Sequence, residues 1–365
     1  MKGTRVKNLM LLATIMVGAS SCSYIDEDLS DCDTPAEKQA EVDYDLQLVT
    51  NMTTELQTEL TTQTDLVLAS ALRTYLSDIF TDFAHDVDLS FYDTQGDSAR
   101  LHHDQHIMNA NQASYTLNLP MRHYMHLAVA NIVDNPIVGL ANDEYCHPSM
   151  LQQTSRDTID SHTTGLFTAR LPMNVLEGVD QHFDVHLYMA NCAACLVLDP
   201  REHDTEDIEV YSTGFATGFS ICDSTFLYPK QSPIVRTHPI VPKEDCPEIG
   251  FCSISFPSRE PIINTPARKG TRTVIETEEP FIAQEGEETL WEMHVYVPQK
   301  ETASSRGKRK FTRSILRLRR PLRAGQLIII RGWLAHDGSV ETKDVSVGVS
   351  VTLDWMPGGI YNPEL

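Results

Sequence analysis

Near its C-terminus the chain reads Asp344-Val345-Ser346-Val347-Gly348-Val349-Ser350-Val351-Thr352-Leu353-Asp354-Trp355. Val345, Val347, Val349, Val351, Leu353 and Trp355 alternate with small or polar residues without a break. A period of two suits an extended strand, because successive side chains of a strand point to opposite faces. One apolar and one polar face describe an antiparallel strand half-buried against a core. The alternation recurs at Tyr44, Leu46 and Leu48, at Val87, Leu89 and Phe91, and at Tyr115, Leu117 and Leu119. It returns at Met125, Leu127 and Val129, at Trp291, Met293, Val295 and Val297, and at Leu316 and Leu318. Many short strands with turns between them predict an all-β chain of packed antiparallel sandwiches.

One segment breaks the pattern. From Thr64 to Phe83, Leu68, Leu72, Tyr75, Leu76, Ile79 and Phe83 fall at steps of three and four, which predicts a helix with Thr64 or Asp65 as N-cap. A chain of this length suggests two domains. The expected division is a first sandwich over 43–145, a linker over 146–164 and a second sandwich over 165–365. The Pro-rich stretch from Asp199 to Glu288 shows no period, and no element is assigned to it.

The N-terminus carries a different signal. Lys2, Arg5 and Lys7 precede an apolar run from Asn8 to Val17. That run is too short for a spanning helix, which needs about 20 apolar residues, and fits an export signal over residues 1–21. Ala19-Ser20-Ser21-Cys22 then matches the lipobox of bacterial lipoproteins, with Ala19 in place of the usual leucine. An ordinary signal peptide with an incidental cysteine is the plainer alternative. Lipidation at Cys22 is the expectation, and several acyl chains on one residue hold a protein stably in a bilayer. Residues 22–42 form an acidic tether containing Asp26, Glu27, Asp28 and Asp31.

All 51 acidic residues lie beyond residue 21, against 26 of the 29 basic ones, so the mature chain carries a net charge of −25. That balance argues against nucleic acid as a partner. The largest local departure is Arg306 to Arg323, with nine basic residues and no acid. Arg317, Arg319 and Arg320 there are candidates for docking an acidic partner or lipid-headgroup phosphates, since arginine grips both bidentately. The other reading is a hairpin with Leu316 and Leu318 inward and the arginines solvated.

Seven cysteines follow Cys22, an odd number whose pairing spacing cannot fix. Cys192 and Cys195 form a C-x-x-C on a strand, where residues three apart face opposite ways, so the pair is badly placed for metal or redox work. His102, His103 and His106, and His182 and His186, are too few in each cluster for a structural zinc site. No cofactor or metal is expected. There is no G-x-S-x-G, H-E-x-x-H or phosphate loop, and nothing argues for an enzyme.

Three stretches together resemble the fimbrillin-associated anchor lipoproteins of the Bacteroides and Porphyromonas group. They are the lipobox with "CSYIDEDLSDC", the order "VDLSFYDTQGD … YTLNLPMRHYMHLAVAN", and the tail "DGSVETKDVSVGVSVTLDWMPGGIYNP". The resemblance implies a pair of transthyretin-like β-sandwiches and a surface-exposed lipoprotein of the outer membrane at the base of a fimbrium. It implies a fimbrillin and accessory subunits as partners. It also implies a contrast with the polymerising subunits, which lose their lipid by cleavage after an N-terminal arginine. Between Cys22 and Leu72 this chain has no arginine, and its first beyond Cys22 is Arg73, inside the predicted helix. Docking is expected by strand or groove pairing, with the strand carrying Val345, Val347, Val349 and Val351 as the candidate; an ordinary core strand is the alternative. The competing functions are a minor or tip fimbrial subunit, and a surface glycan-binding lipoprotein. Trp291, Trp333 and Trp355 are all expected to point inward, which counts against the last.

Overall fold

The computed structural model describes residues 37–49, 66–80, 84–95, 99–108, 112–133, 135–141, 144–154, 158–178, 180–240, 242, 246–260, 289–299, 310–343 and, as backbone, 347–355. The export signal, Cys22, most of the acidic tether, Val345 and the residues after Trp355 lie outside these.

The chain begins with β1 (Gln39–Val49), the helix α1 (Leu66–Ile79), β2 (Asp86–Asp93), β3 (Arg100–Met108), β4 (Ser114–Pro120) and β5 (His123–Ala130). It continues with β6 (Val138–Ala141), β7 (Met150–Gln153), β8 (Thr158–Asp160), β9 (Phe167–Asn174), β10 (Gln181–Met189) and β11 (Cys192–Asp199). Short strands follow: β12 (Glu209–Thr213), β13 (Gly218–Ser220), β14 (Thr225–Leu227), β15 (Ile234–Arg236), β16 (His238–Ile240) and β17 (Ile249–Ser255). The last five are β18 (Trp291–Pro298), β19 (Lys310–Leu318), β20 (Leu327–Leu334), β21 (Val340–Thr342) and β22 (Val347–Trp355). They make four sheets, ordered β3-β2-β5-β9-β10-β1-β4, β14-β13-β7-β6, β16-β17-β11-β20-β21 and β22-β19-β18-β12-β15-β8. The fold is all-β, in packed sheets, with a single helix among the described residues.

These sheets divide the chain differently from the expected boundaries. β9 and β10, assigned to the second sandwich, belong to the first sheet, where β10 runs parallel to β1 from Val42↔Gln181 to Val49↔Tyr188. The segment 146–164, expected as a linker, contains β7, paired with β6 and β13, and β8, paired with β15. The region without assigned elements holds β12 to β17. β12 to β16, of three to five residues, are too short to display a period, and the seven-residue β17 is buried on both faces and does not alternate.

The five-stranded sheet separates two cores. Ala193, Cys195, Val197, Leu327 and Ile329 pack with α1 and with Val42, Tyr44, Val87, Leu89 and Phe91 of the first sheet. Cys192, Ala194, Leu196, Leu198, Ile328 and Ile330 pack with Trp291, Met293, Val295 and Leu316 of the six-stranded sheet. The sequence carries the reason. Cys192 to Leu198 is apolar without alternation, as a strand covered on both faces must be.

The helix is amphipathic, with Leu68, Leu72, Leu76 and Ile79 buried at steps of three and four. It packs on β16 and β17, where Tyr75 stacks on His238 with ring centroids 4.8 Å apart. Among the described residues it ends at Ile79, whose carbonyl accepts the Gly165 N–H at 2.9 Å, a tertiary bond that caps the terminus; Thr64, Asp65 and Phe83 lie outside the described residues. Gly165 can approach because a Cβ there would stand 3.0 Å from the Phe80 ring.

Candidate docking surface

β22 lies at one edge of the six-stranded sheet and has β19 as its ladder partner, from Val347↔Leu318 to Trp355↔Lys310. No other described strand pairs with it. An edge strand directs alternate backbone N–H and C=O groups away from its one neighbour, where another chain can add. The register sets Val347 and Val349 opposite Leu318 and Leu316, both buried in the second core, and Val351 opposite the buried Ser314.

The basic run is divided by its surroundings. Arg317 is only 22% exposed, and its Nε donates to Glu292 Oε1 at 3.3 Å. Glu292 also accepts from His294 Nε2 at 2.8 Å, while His294 Nδ1 receives a guanidinium N–H of Arg313 at 3.3 Å. Because Arg313 can only donate, His294 Nδ1 is the acceptor, and Nε2 carries the hydrogen given to Glu292. Arg317 thus belongs to an internal polar chain that satisfies a buried carboxylate. Arg319 and Arg320 lie in the exposed turn after β19, where the Arg320 carbonyl accepts the indole N–H of Trp291 at 2.9 Å. Arg323 holds Glu260 through two bonds of 2.5 and 2.9 Å. Leu316 and Leu318 point inward, as their spacing predicts.

The tryptophans part company. Trp291 is fully buried in the second core. Trp333, expected to point inward, instead lines a surface pocket of about 540 Å³ with Asp199, Arg201, Glu248, Arg331 and Lys343. Its Nε1 donates to Glu341 at 2.6 Å, and the cations of Arg201 and Lys343 stand 5.4 and 5.8 Å from the ring. The unbroken apolar run Leu327–Ile330 hides which face is which; on the face of Ile329, Arg331 and Trp333 the strand has passed beyond the first core, while Leu334 on the other face stays buried in the second. Trp355 has no described side chain.

His102, His106, His182 and His186 are exposed on the first sheet, while His103 shares a face with the buried Phe91. His102 pairs with Glu37 at 2.8 Å, His106 stands 3.5 Å from Asp88, and His103 packs against the Phe91 ring. His182 contacts Asp45 at 3.4 Å and Asp184 at 3.1 Å, an exposed trio of possible ligands that His186 does not join. Cys195 and Cys192 face different cores, as a strand requires of residues three apart. Sequence periodicity misses two histidines in the interior, His126 and His162, both driven down to about 4 chiefly by burial.

No protein-family model matches the chain, and no curated protein matches it by sequence. Several solved structures resemble it. The fimbrial anchor protein Mfa2 from Porphyromonas gingivalis is 10% identical with a TM-score of 0.42, covering 87% of this chain and 98% of that one. A candidate polysaccharide-binding protein from Bacteroides thetaiotaomicron is 10% identical with a TM-score of 0.47, over 87% of this chain and 99% of that one. A candidate adhesin from Bacteroides ovatus is likewise 10% identical at 0.47, over 88% and 97%. The chain's neighbours among solved structures thus include fimbrial anchor and adhesin-like proteins.

Proposed function

We propose that the chain is an outer-membrane lipoprotein, held through lipid on Cys22, that anchors fimbriae to the cell surface. The basal fimbrial subunit adds to the open edge of β22. The observation that carries this reading is the persistence of β1. β1 is paired on both sides in the first sheet, to β10 and β4, and contributes Val42, Tyr44 and Leu46 to the core. A cut between β1 and α1 would release it together with the lipid, yet residues 50–65 contain neither lysine nor arginine. The first arginine beyond Cys22, Arg73, stands within α1, whose hydrogen-bonded turns shield it from a protease. With no arginine between Cys22 and α1, cleavage after arginine would leave lipid, tether and β1 with the rest of the chain, as an anchor requires and a shaft or tip subunit does not.

The test is mass spectrometry of the N-terminal peptide from outer membranes, with Cys22→Ala alongside. An acylated Cys22, and fimbriae shed by the variant, support the anchor. A mature chain that starts beyond Arg73 overturns it.

The glycan-binding alternative draws on one observation, the surface position of Trp333. Its ring is flanked by Arg201 and Lys343, so a sugar would have to displace cations before stacking. Trp333 fluorescence titrated with acidic and neutral oligosaccharides separates the two readings. A saturable response abolished by Trp333→Ala would favour the glycan function.

A further inference from the structure

The described cysteines carry no disulfide in the structure, yet four of them form two close contacts. Cys195 Sγ and Cys252 Sγ are 2.7 Å apart, and Cys146 Sγ and Cys222 Sγ are 2.7 Å apart. Non-bonded carbon atoms settle at about 3.5 Å or more, and sulfur is larger. At 2.7 Å two thiols repel, whereas a modest approach brings them to the bond length of about 2.05 Å.

The backbone independently holds each pair. Cys195 and Cys252 are direct partners in the ladder between β11 and β17, so their side chains share one face, the one directed at the first core. The turn at Cys146 is fixed by its N–H bond to the Ala99 carbonyl at 3.0 Å. The turn at Cys222 is fixed by the neighbouring Ile221 N–H to Ser149 at 3.2 Å. All four sulfurs belong to buried residues. Cys192 is a contrast, since its thiol is directed at the carbonyls of Ser255 and Phe256, at 3.4 and 3.6 Å.

We propose that the mature protein carries two disulfides, Cys195–Cys252 and Cys146–Cys222. The proposal rests on the export reading above, because such bonds persist in oxidising compartments. In each, the two thiols lose two protons and two electrons as one S–S bond forms. The electrons pass to a protein or small-molecule disulfide of the envelope, whose own S–S bond breaks to give two thiols. The first bond pins the middle sheet between its central strands, and the second ties the turn before β7 to the turn after β13.

Two preparations test the pairing and the compartment separately. In the first, protein from host outer membranes is alkylated under denaturing conditions without reductant and digested. Peptides joining Cys195 to Cys252 and Cys146 to Cys222, with Cys192 alkylated, are expected. In the second, the reduced chain is refolded with oxidised and reduced glutathione, where the same two links should form whatever the native compartment. Alkylated thiols at all four positions in both preparations, or links to other partners, overturn the pairing. Links in the refolded chain with thiols in the native one would uphold the pairing geometry and overturn export. Cys222→Ser should release Cys146 for alkylation while the Cys195–Cys252 link persists.

Discussion

Tyr44 gives its hydroxyl hydrogen to Nε2 of His126 across 2.9 Å, joining the middle of β1 to β5 inside the first core. The other ring nitrogen, Nδ1, donates to the Ser90 carbonyl at 3.0 Å, which fixes the neutral tautomer, and the ring stacks on Phe91 at 4.3 Å. Tyr44→Phe keeps the packing and strands a buried acceptor. The expected loss is about 1–3 kcal/mol of stability in urea unfolding. A variant as stable as the parent would show that Tyr44 contributes through its ring alone.

Acid should weaken the fold through two buried histidines. His126 and His162 titrate near 4 when folded, against about 6.5 in an unfolded chain. Between those values the unfolded chain binds more protons, so stability is complete above about pH 6.5, declines as pH falls, and levels off below about 4. Each shift corresponds to roughly 3 kcal/mol at most. Neither ring nitrogen of His162 finds a partner among the described residues. His162→Phe should therefore leave stability at pH 7 unchanged or higher and flatten the acid limb of a pH-dependent melting series.

Gly214 stands at φ 104°, where a side chain is strained, and a Cβ would lie 2.7 Å from Trp291 Cα. Backbone cannot yield as a flexible side chain can. Gly214→Ala should cost about 2–4 kcal/mol, seen as a lowered melting temperature, while Gly139→Ala, with open space at Cβ, should not.

Arg317 and Arg319 should behave differently despite their shared place in the basic run. Arg317→Ala removes a donor from the buried Glu292 and should cost about 1–3 kcal/mol of stability. Arg319→Ala alters an exposed turn and should stay within about 0.5 kcal/mol. Chemical denaturation of both variants decides it. Equal small effects would put Arg317 back among surface charges.

Reduction of the two proposed disulfides would open loops of about 60 and 80 residues, each closure contributing roughly 4 kcal/mol. Calorimetry with and without reductant should show a drop in melting temperature of many degrees, and a drop of about half that in Cys222→Ser.

The strands that alternate are legible because one face meets core and the other water; β1, β4 and β10 keep that arrangement in the fold. Partnership is not legible. Nothing within Gln181–Met189 announces that it pairs in parallel with β1, about 140 residues earlier, and the first sheet crosses the expected domain boundary at that point. Among the described strands β22 stands at a sheet edge, while Arg317 of the charge run turns inward. Its partner Glu292 lies on another strand, and no local pattern announces the contact. The interior position of β11 could be read from its unbroken apolar stretch, but the sulfur pairs needed the register of β17.

The placement of β1 has a mechanical consequence. It runs parallel to β10 over eight residue pairs and antiparallel to β4 over seven. A pull transmitted along the strand axis from the residues before Gln39 loads both ladders sideways, so their hydrogen bonds resist together instead of opening one after another. A force applied across the strand would unzip the ladders in sequence. The N-terminal side of this chain is thus joined to the fold in the geometry that best withstands tension, which suits the anchoring role proposed above.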